Sequence, residues 1–217
     1  SAGEILNQYI FGQRVSRLQH DSRTADVSYG ISPGLTAGHS SRYSVGLHMD
    51  QHDYSPIAAG LPAPAGYRDS LNLYYPFVQY EFVEDQFAQA YNIGQIQRTE
   101  DLYTGLRLRN RVGYAPGTDN SLILEGDYRD TLFYRPKLLL QSYADWDARF
   151  NRERGSWDDT LLHMGLDYNR GQTAKRTLYM GVEYTRALNL NNGRQLVLGG
   201  SNGLRGFDTN FLVGDAS

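Results

Sequence analysis

Residues 106–112 read LRLRNRV, and apolar and charged side chains alternate along them. Three of the four even positions are apolar, and all three odd positions carry arginine: Arg107, Arg109 and Arg111. Side chains of a β-strand point to opposite faces in turn, so this stretch predicts a strand with one apolar face and one strongly charged face.

The same alternation recurs along almost the whole chain, while sustained helical periodicity is hard to find. We predict strands near residues 5–17, 24–32, 42–54, 70–83, 85–93, 102–115, 121–134, 137–150, 160–170, 175–188 and a short one that ends at Leu198. Short turns between them, such as residues 169–172, favour antiparallel neighbours. The sequence therefore predicts an all-β fold, an antiparallel up-and-down meander of about eleven strands, as one segment over residues 1–217.

Alternation alone leaves open whether the apolar face points to a protein core or to lipid. A barrel of about eleven strands is too wide for side chains to fill, so an apolar lining would enclose a void. We therefore expect the apolar faces to point outward to lipid and the charged faces to line a wet lumen. The expected lumen-lining charges are Arg107, Arg109, Arg111, Glu125, Asp127, Arg129, Asp145, Asp147 and Arg149. The alternative is a soluble β-sandwich, which would act as a ligand- or carbohydrate-binding module.

Composition agrees with a membrane surface and excludes several classes of protein. Tyrosine dominates the aromatic residues, with 17 Tyr against 8 Phe and 2 Trp, and its ring suits the boundary between lipid and water. The 21 basic and 24 acidic residues give a net charge of −3, without the basic patch of a nucleic-acid binder. The absence of cysteine excludes disulfides, thiolate catalysis and thiolate metal sites.

One motif suggests a nucleophile. Residues 199–203, GGSNG, satisfy the G-x-S-x-G pattern that presents a catalytic serine on a sharp turn between a strand and a helix. The residues after it have no helical period, so an esterase that uses Ser201 is the less favoured hypothesis.

Two further groups of residues carry metal-binding or acid–base side chains. His48, Asp50 and His52 share one face of a predicted strand, but neighbours about 7 Å apart cannot converge on a metal without a bend. The pairs Glu125/Asp127 and Asp145/Asp147 have a spacing similar to that of glycosidase carboxylates. Arginines occupy the same faces, which favours charge neutralisation. We predict no catalytic residue, no metal and no cofactor, and therefore a protein that is not an enzyme.

Two stretches resemble a known family. Residues 198–207, LGGSNGLRGF, followed by LVGD at 212–215, closely resemble the conserved sixth extracellular loop of the BamA-type superfamily of outer-membrane barrels. That superfamily includes the TamA type, bacterial surface antigens and two-partner-secretion transporters. Residues 75–82, YPFVQYEF, with 92–93 and 100–105, look more like the secretion-transporter and surface-antigen branches.

The resemblance implies a sixteen-stranded transmembrane β-barrel in the bacterial outer membrane. Its N-terminal POTRA modules and closing strands would lie outside residues 1–217. In the family the loop folds into the lumen, where its arginine contacts an acidic residue of the barrel wall. Carried over, this lock motif comprises Arg205, Gly206 and Phe207, with Gly199, Gly200, Gly214 and Asp215 on either side. The implied function is polypeptide translocation across, or insertion into, the outer membrane. The implied partners are outer-membrane lipid and an unfolded or secreted polypeptide client, with no nucleic acid.

Overall fold

The computed structural model describes residues 3–57, 69–91, 98–117, 120–134, 138–173, 176–190, 195–198, 206 and 208–214. These residues form fourteen β-strands, and no helix occurs among them. The described part of the chain accordingly contains no helical segment of the length and hydrophobicity that a membrane span requires.

The long strands agree closely with the alternating segments of the sequence. The fourteen strands are β1 (Glu4–Ile10), β2 (Gln13–Ile31), β3 (Leu35–Thr36), β4 (His39–Pro56), β5 (Ser70–Glu84), β6 (Phe87–Tyr91), β7 (Thr99–Tyr103), β8 (Arg107–Ala115), β9 (Ser121–Phe133), β10 (Leu138–Asn151), β11 (Ser156–Thr173), β12 (Arg176–Leu188), β13 (Leu196–Leu198) and β14 (Leu212–Gly214).

Ten of these strands form one sheet in which successive strands lie side by side. The order is β1-β2-β4-β5-β8-β9-β10-β11-β12, with β3 paired to the start of β4. All neighbours are antiparallel. β6 and β7 form a separate hairpin inserted between β5 and β8, and β13 and β14 form a second two-stranded sheet. The predicted all-β antiparallel meander is therefore confirmed.

The first predicted strand, residues 5–17, is wrong as a single element. A turn at Phe11 and Gly12 divides it into β1 and the start of β2, and β2 then continues through the predicted strand 24–32. Both turn residues have positive φ, +48° and +77°, as a two-residue hairpin turn requires. Phe11 gives no sign of this in the sequence, because a bulky residue rarely adopts that conformation.

The predicted strand 102–115 is also divided, at residues 104–106, where β7 ends and β8 begins. The Tyr103 hydroxyl donates to the carbonyl oxygens of Glu84 at 2.5 Å and Leu106 at 3.3 Å. The Leu106 N–H donates to the Glu84 carboxylate at 2.8 Å. Burial, with the nearby Glu84 carboxylate, raises the pKa of the Tyr103 hydroxyl above its ordinary value. These bonds fix the base of the β6–β7 hairpin against the main sheet.

The register assigns every side chain of the main sheet to one of two faces. Arg109, Asp127 and Asp145 lie directly opposite one another on β8, β9 and β10. We call the face that carries them the inner face. The other is the outer face. Since side chains alternate along each strand, the pairings extend both faces from β2 to β12.

The outer face is apolar and exposed across the sheet. Val27 on β2, Leu47 on β4 and Val182 on β12 are 73%, 65% and 72% exposed. Other large exposed residues of this face are Tyr29, Ile31, Tyr43, Val45, Tyr74, Val78, Val112, Tyr114, Leu132, Met164, Leu166, Leu178, Met180 and Tyr184. Within the described residues, no second layer of strands packs on this face. A soluble sandwich would bury it, so the described sheet does not have that architecture.

The sheet curves with its inner face on the concave side. Arg111 on β8 and Asp26 on β2 lie three strand positions apart, which is about 14 Å in a flat sheet. Their side chains nevertheless meet, with Arg111 Nη1 3.2 Å from Asp26 Oδ1. The two residues are also offset along the strands, because Asp26 pairs through His48 with Tyr75, whereas Arg111 pairs with Gln79, four residues or about 13 Å along β5. Two extended side chains cannot cover both separations in a flat sheet, so the strands between them bend around the inner face.

The inner face also contains an apolar cluster that the sequence did not predict. Four alternate residues of β5, at positions 71, 73, 75 and 77, are buried with Ala115 and Ile123. β5 is therefore apolar on both faces, and the inner face combines a small hydrophobic core with the charged residues beside it.

Candidate functional site

The nine charges predicted to line a lumen all lie on the inner face, on the adjacent strands β8, β9 and β10. The pairings place them in rows: Arg107 opposite Arg129, Arg109 opposite Asp127 and Asp145, Arg111 opposite Glu125 and Asp147, and Arg149 opposite Ile123. We call this set the charge array. That it lines a water-filled lumen stays a prediction.

Opposite charges offset one another within the array. Arg109 Nε lies 2.7 Å from Asp127 Oδ1, and Arg107 Nε lies 3.8 Å from the other oxygen of that buried carboxylate. Arg129 Nη2 lies 2.9 Å from Asp145 Oδ1. Asp127 and Asp145 are directly opposite, and two carboxylates in that position repel each other. The arginines on either side reduce this repulsion, as the charge-neutralisation interpretation expects.

Arg111 makes the largest number of described contacts in the array. Its Nε donates to Gln79 Oε1 at 2.9 Å, and its Nη1 lies 3.2 Å from Asp26 Oδ1 and 3.7 Å from Glu125 Oε2. The guanidinium also lies 4.1 Å from the centre of the Phe77 ring, a cation–π contact. Arg111 thus connects the charge array to the apolar cluster and to β2.

Histidines form a second polar group on the inner face of β2 and β4. Nε2 of His20 and Nδ1 of His52 are 2.8 Å apart, and His52 Nε2 is 2.8 Å from Asp50 Oδ2. The Thr24 hydroxyl donates to the other Asp50 oxygen at 2.9 Å. Tyr54 stacks on His20 with ring centres 4.7 Å apart. We call this set the histidine cluster.

Three of the five residues of the histidine cluster, His20, Thr24 and Tyr54, were missed from the sequence. His20 and Thr24 lie on β2. Only the register of β2 against β4 places them beside the predicted strand that carries His48, Asp50 and His52. Residues 19–24 are all polar, so alternation gives no signal for the face of His20, and it begins only at Ala25. Among the described residues, no group of three or more histidine, aspartate or glutamate side chains is arranged to hold a metal ion.

The predicted lock motif is described only in part. Gly206 and Gly214 lie within the described residues, whereas Arg205, Phe207, Gly199, Gly200 and Asp215 lie outside them. Gly206 occupies a turn with φ of +100°, where glycine is strongly favoured, and a Cβ added there would meet no atom within 4 Å. Gly214 ends β14 opposite Leu196 of β13. The central glycine of the motif is therefore required by the backbone rather than by packing.

The two hydrolytic hypotheses gain no support from the described geometry. Ser201 lies outside the described residues, and residues 208–214 form a turn and β14, not the helix that a nucleophile elbow requires. Glu125 accepts a hydrogen bond of 2.9 Å from the Tyr75 hydroxyl. Asp127 and Asp145 form ion pairs with Arg109 and Arg129. The carboxylates of the array therefore offset the positive charge of its arginines.

Comparison with known proteins adds no relative: no protein-family model, no curated protein and no solved structure matches the chain. What the inner face can do must therefore be inferred from its own geometry. Four of the five arginines in the charge array form ion pairs with described carboxylates, namely Arg107, Arg109, Arg111 and Arg129. Arg149 differs from them, because its three guanidinium nitrogens are buried without a hydrogen-bond partner in the described part of the chain.

Proposed function

We propose that the chain is a segment of a β-barrel of the bacterial outer membrane that takes part in polypeptide translocation across, or insertion into, that membrane. The observation that carries the proposal is the contrast between the two faces of one curved sheet. The outer, convex face exposes large apolar side chains from β2 to β12, and the inner, concave face holds the charge array.

Exposure of this extent is costly in water. Burying one large aliphatic or aromatic side chain contributes about 1.5–3 kcal/mol, and the outer face leaves many of them uncovered within the described residues. A continuous apolar surface of this kind indicates a membrane or a large protein interface. We favour a membrane over a protein interface because the exposed large apolar residues recur on the outer face from β2 to β12.

Strand length supports the same proposal. A transmembrane β-strand requires about 9–11 residues when tilted. β2, β4, β5, β9, β10, β11 and β12 have 19, 18, 15, 13, 14, 18 and 13 residues. Tyrosines on the outer face, such as Tyr43 and Tyr80 with ring centres 5.0 Å apart, suit a membrane boundary.

The polypeptide-handling part of the proposal rests on the resemblance of residues 198–207 and 212–215 to the lock loop of the BamA-type superfamily. The positive φ of Gly206 is consistent with a loop that needs glycine between Arg205 and Phe207. In this proposal Arg205 enters the lumen and pairs with a carboxylate there, because a guanidinium removed from water needs an anionic partner. The closing strands and POTRA modules would belong to the full-length protein.

The proposal is tested by deleting the gene in the source bacterium and comparing the outer-membrane and secreted proteins by mass spectrometry. The deletion strain is complemented with the full-length wild-type protein, with Arg205→Ala, or with Arg152→Ala as a control at an exposed turn arginine. We expect the deletion to deplete a defined set of proteins, which the wild type and Arg152→Ala restore and Arg205→Ala does not. An unchanged set of proteins in the deletion strain would refute polypeptide handling. Full restoration by Arg205→Ala would refute the lock.

A further inference from the structure

The apolar side chains of the outer face form a run on each strand, and on four strands a polar residue bounds the run at both ends. Taking alternate residues, the runs are 43–49 on β4 between Ser41 and Gln51, 74–82 on β5 between Asn72 and Glu84, 162–168 on β11 between Thr160 and Arg170, and 178–184 on β12 between Arg176 and Arg186. The pairings place all of these residues on the outer face. The outer face therefore carries an apolar band with two polar borders. We call it the apolar band.

The apolar band runs obliquely to the hydrogen-bonded rows of the sheet. Six antiparallel pairings separate β4 from β12, so the two strands point the same way, and Tyr43 and Leu178 are the first apolar residues of their runs. The row that contains Tyr43 passes through Tyr80, Asn110, Gly126, Trp146 and Leu162 and reaches β12 at Arg186. Arg186 lies eight residues from Leu178, beyond the opposite end of the β12 run. The run has therefore shifted by eight residues between β4 and β12.

The strands between them show the same shift in the same direction. On β5 the equivalent end of the run is Phe82, two residues beyond Tyr80 of that row. On β11 it is Tyr168, six residues beyond Leu162. The displacement thus grows from none on β4 to two, six and eight residues on β5, β11 and β12, which is a straight oblique border.

The angle of the apolar band identifies the kind of surface that it fits. Eight residues correspond to about 27 Å along a strand, and the six strand spacings to about 29 Å across the sheet. A layer bounded by these borders has its normal inclined by about 43° to the strands. The strands of membrane barrels are tilted by about 35–45°. A planar hydrocarbon layer requires such a band, because it must cut every tilted strand at the same height, whereas a protein partner imposes no such condition.

Arginines lie directly beyond the apolar band on both sides. Arg23 follows the β2 run at Ala25, and Arg186 follows the β12 run on the same side of the sheet. Arg170 and Arg176 lie beyond the other border, on β11 and β12. All four are exposed, and among the described residues none of them forms an ion pair. A guanidinium pairs well with phosphate, which is the anionic group at the surface of a phospholipid bilayer.

We propose that the apolar band is the contact surface of a phospholipid bilayer that crosses the strands obliquely, with Arg23 and Arg186 bound to lipid phosphate at one membrane surface and Arg170 and Arg176 at the other. This inference rests on the proposed membrane function and adds to it the position of both membrane surfaces. It also places the histidine cluster at or outside one surface, because His20 lies beyond Arg23 on β2.

The first test measures the depth of spin labels in the protein, reconstituted in vesicles of phosphatidylcholine and phosphatidylglycerol, with single cysteines at 47, 182 and 186. Positions 47 and 182 lie within their runs, four rows apart, and 186 lies beyond the band. We expect the ratio of oxygen access to nickel-chelate access to be similar at 47 and 182 and about fivefold higher there than at 186.

A bilayer perpendicular to the strands would give the reverse order, because the row of Tyr43 and Arg186 would then lie near its middle. A label at 186 that is deeper than those at 47 and 182 would therefore overturn the oblique bilayer while leaving the membrane function intact. High chelate access at all three positions, as in water, would refute the membrane function together with this proposal.

The second test measures phosphate contact by solid-state nuclear magnetic resonance, as dephasing of the arginine Cζ signal by lipid ³¹P in protein labelled with ¹³C-arginine. We expect Arg23→Gln and Arg186→Gln each to reduce the dephased fraction. Arg129→Gln is the matched control, because that side chain is 52% exposed but lies on the inner face, and it should leave the fraction unchanged. The assignment of phosphate to these arginines is overturned if either Arg23→Gln or Arg186→Gln leaves the dephased fraction unchanged.

Discussion

Arg111 Nη1 on β8 lies 3.2 Å from Asp26 Oδ1 on β2, although β4 and β5 separate the two strands in the sheet. This contact is possible because the sheet bends around its inner face. The Arg111 side chain is only 15% exposed, so its charge depends on these partners rather than on water.

Arg111→Met should therefore destabilise the fold much more than the same change at Arg129, whose side chain is 52% exposed. We expect a loss of about 2 kcal/mol for Arg111→Met, because the change removes the hydrogen bond to Gln79 and the ion pairs to the partly exposed Asp26 and Glu125. Arg129→Met should cost less than about 1 kcal/mol. Denaturant unfolding of the two variants measures both values. Equal effects would contradict the view that Arg111 joins distant strands.

Gly126 lies directly opposite Trp146 in the β9–β10 pairing. A Cβ added at Gly126 would overlap the Trp146 ring and the Arg109 carbonyl oxygen. The carbonyl belongs to a central strand and cannot move freely, so Gly126→Ala should destabilise by about 1–3 kcal/mol. Gly214→Ala is the control, because its nearest atom, Leu196 Cβ, would be 3.4 Å away. The same unfolding measurement should find Gly214→Ala close to the wild type, and a Gly126→Ala variant as stable as that control would show that the ring does not cover Gly126.

Tyr103 fixes the base of the β6–β7 hairpin, so Tyr103→Phe should loosen it. Loss of the hydrogen bonds to Glu84 and Leu106 should cost about 1 kcal/mol and speed amide exchange in β6 and β7. The pKa of the folded Tyr103 hydroxyl is raised above its unfolded value. Its contribution is therefore complete below the unfolded pKa and is lost as the pH rises through the folded pKa.

The difference in unfolding free energy between the wild type and Tyr103→Phe should accordingly be constant up to about pH 9 and shrink above pH 10, the ordinary tyrosine pKa. Tyr29→Phe, at an exposed tyrosine of the outer face, provides the control. A difference that grows with pH, or hairpin exchange that Tyr103→Phe leaves unchanged, would rule out this role for the hydroxyl.

Gly206 has a positive φ with open space around it, so Gly206→Ala should act through the backbone alone. The expected cost is about 1 kcal/mol. The Phe211 N–H donates to the Asp208 carbonyl at 3.1 Å in the turn that follows, and its exchange rate should rise about fivefold. Asp208→Ala is the control for a side-chain change in that turn. Exchange that is unaffected by Gly206→Ala would mean that the turn does not require glycine.

Much of the fold could be predicted because the strands are long and each has two chemically different faces. Alternation alone predicts that each of β8, β9 and β10 carries its arginines and carboxylates on one face, whereas the rows that these residues form depend on the register. The turn at Phe11 could not be predicted, because the conformation is unusual for that residue type. β3 and β14, with two and three residues, are too short to show a period.

The site was less predictable than the sheet, because the register decides which residues of neighbouring strands lie side by side. His20 meets His52 only through the pairing of β2 with β4, and Asp26 reaches Arg111 only through curvature. Alternation likewise does not predict that the Arg149 guanidinium is buried without a hydrogen-bond partner among the described residues, because this depends on the side chains that surround it in the folded sheet. Alternation identifies the face of a charge but not its partner.

In the proposed arrangement, lipid covers the outer face and water contacts the inner face. The chain has no cysteine, so single cysteines can carry spin labels without background. Two adjacent pairs are exposed on opposite faces: Val27 and Ser28 on β2, and Tyr184 and Thr185 on β12. Power-saturation electron paramagnetic resonance in lipid vesicles compares their access to oxygen and to a water-soluble nickel chelate. Labels at 27 and 184 should contact mainly oxygen, and labels at 28 and 185 should contact mainly the chelate. Equal access of the nickel chelate to both members of each pair would contradict this arrangement.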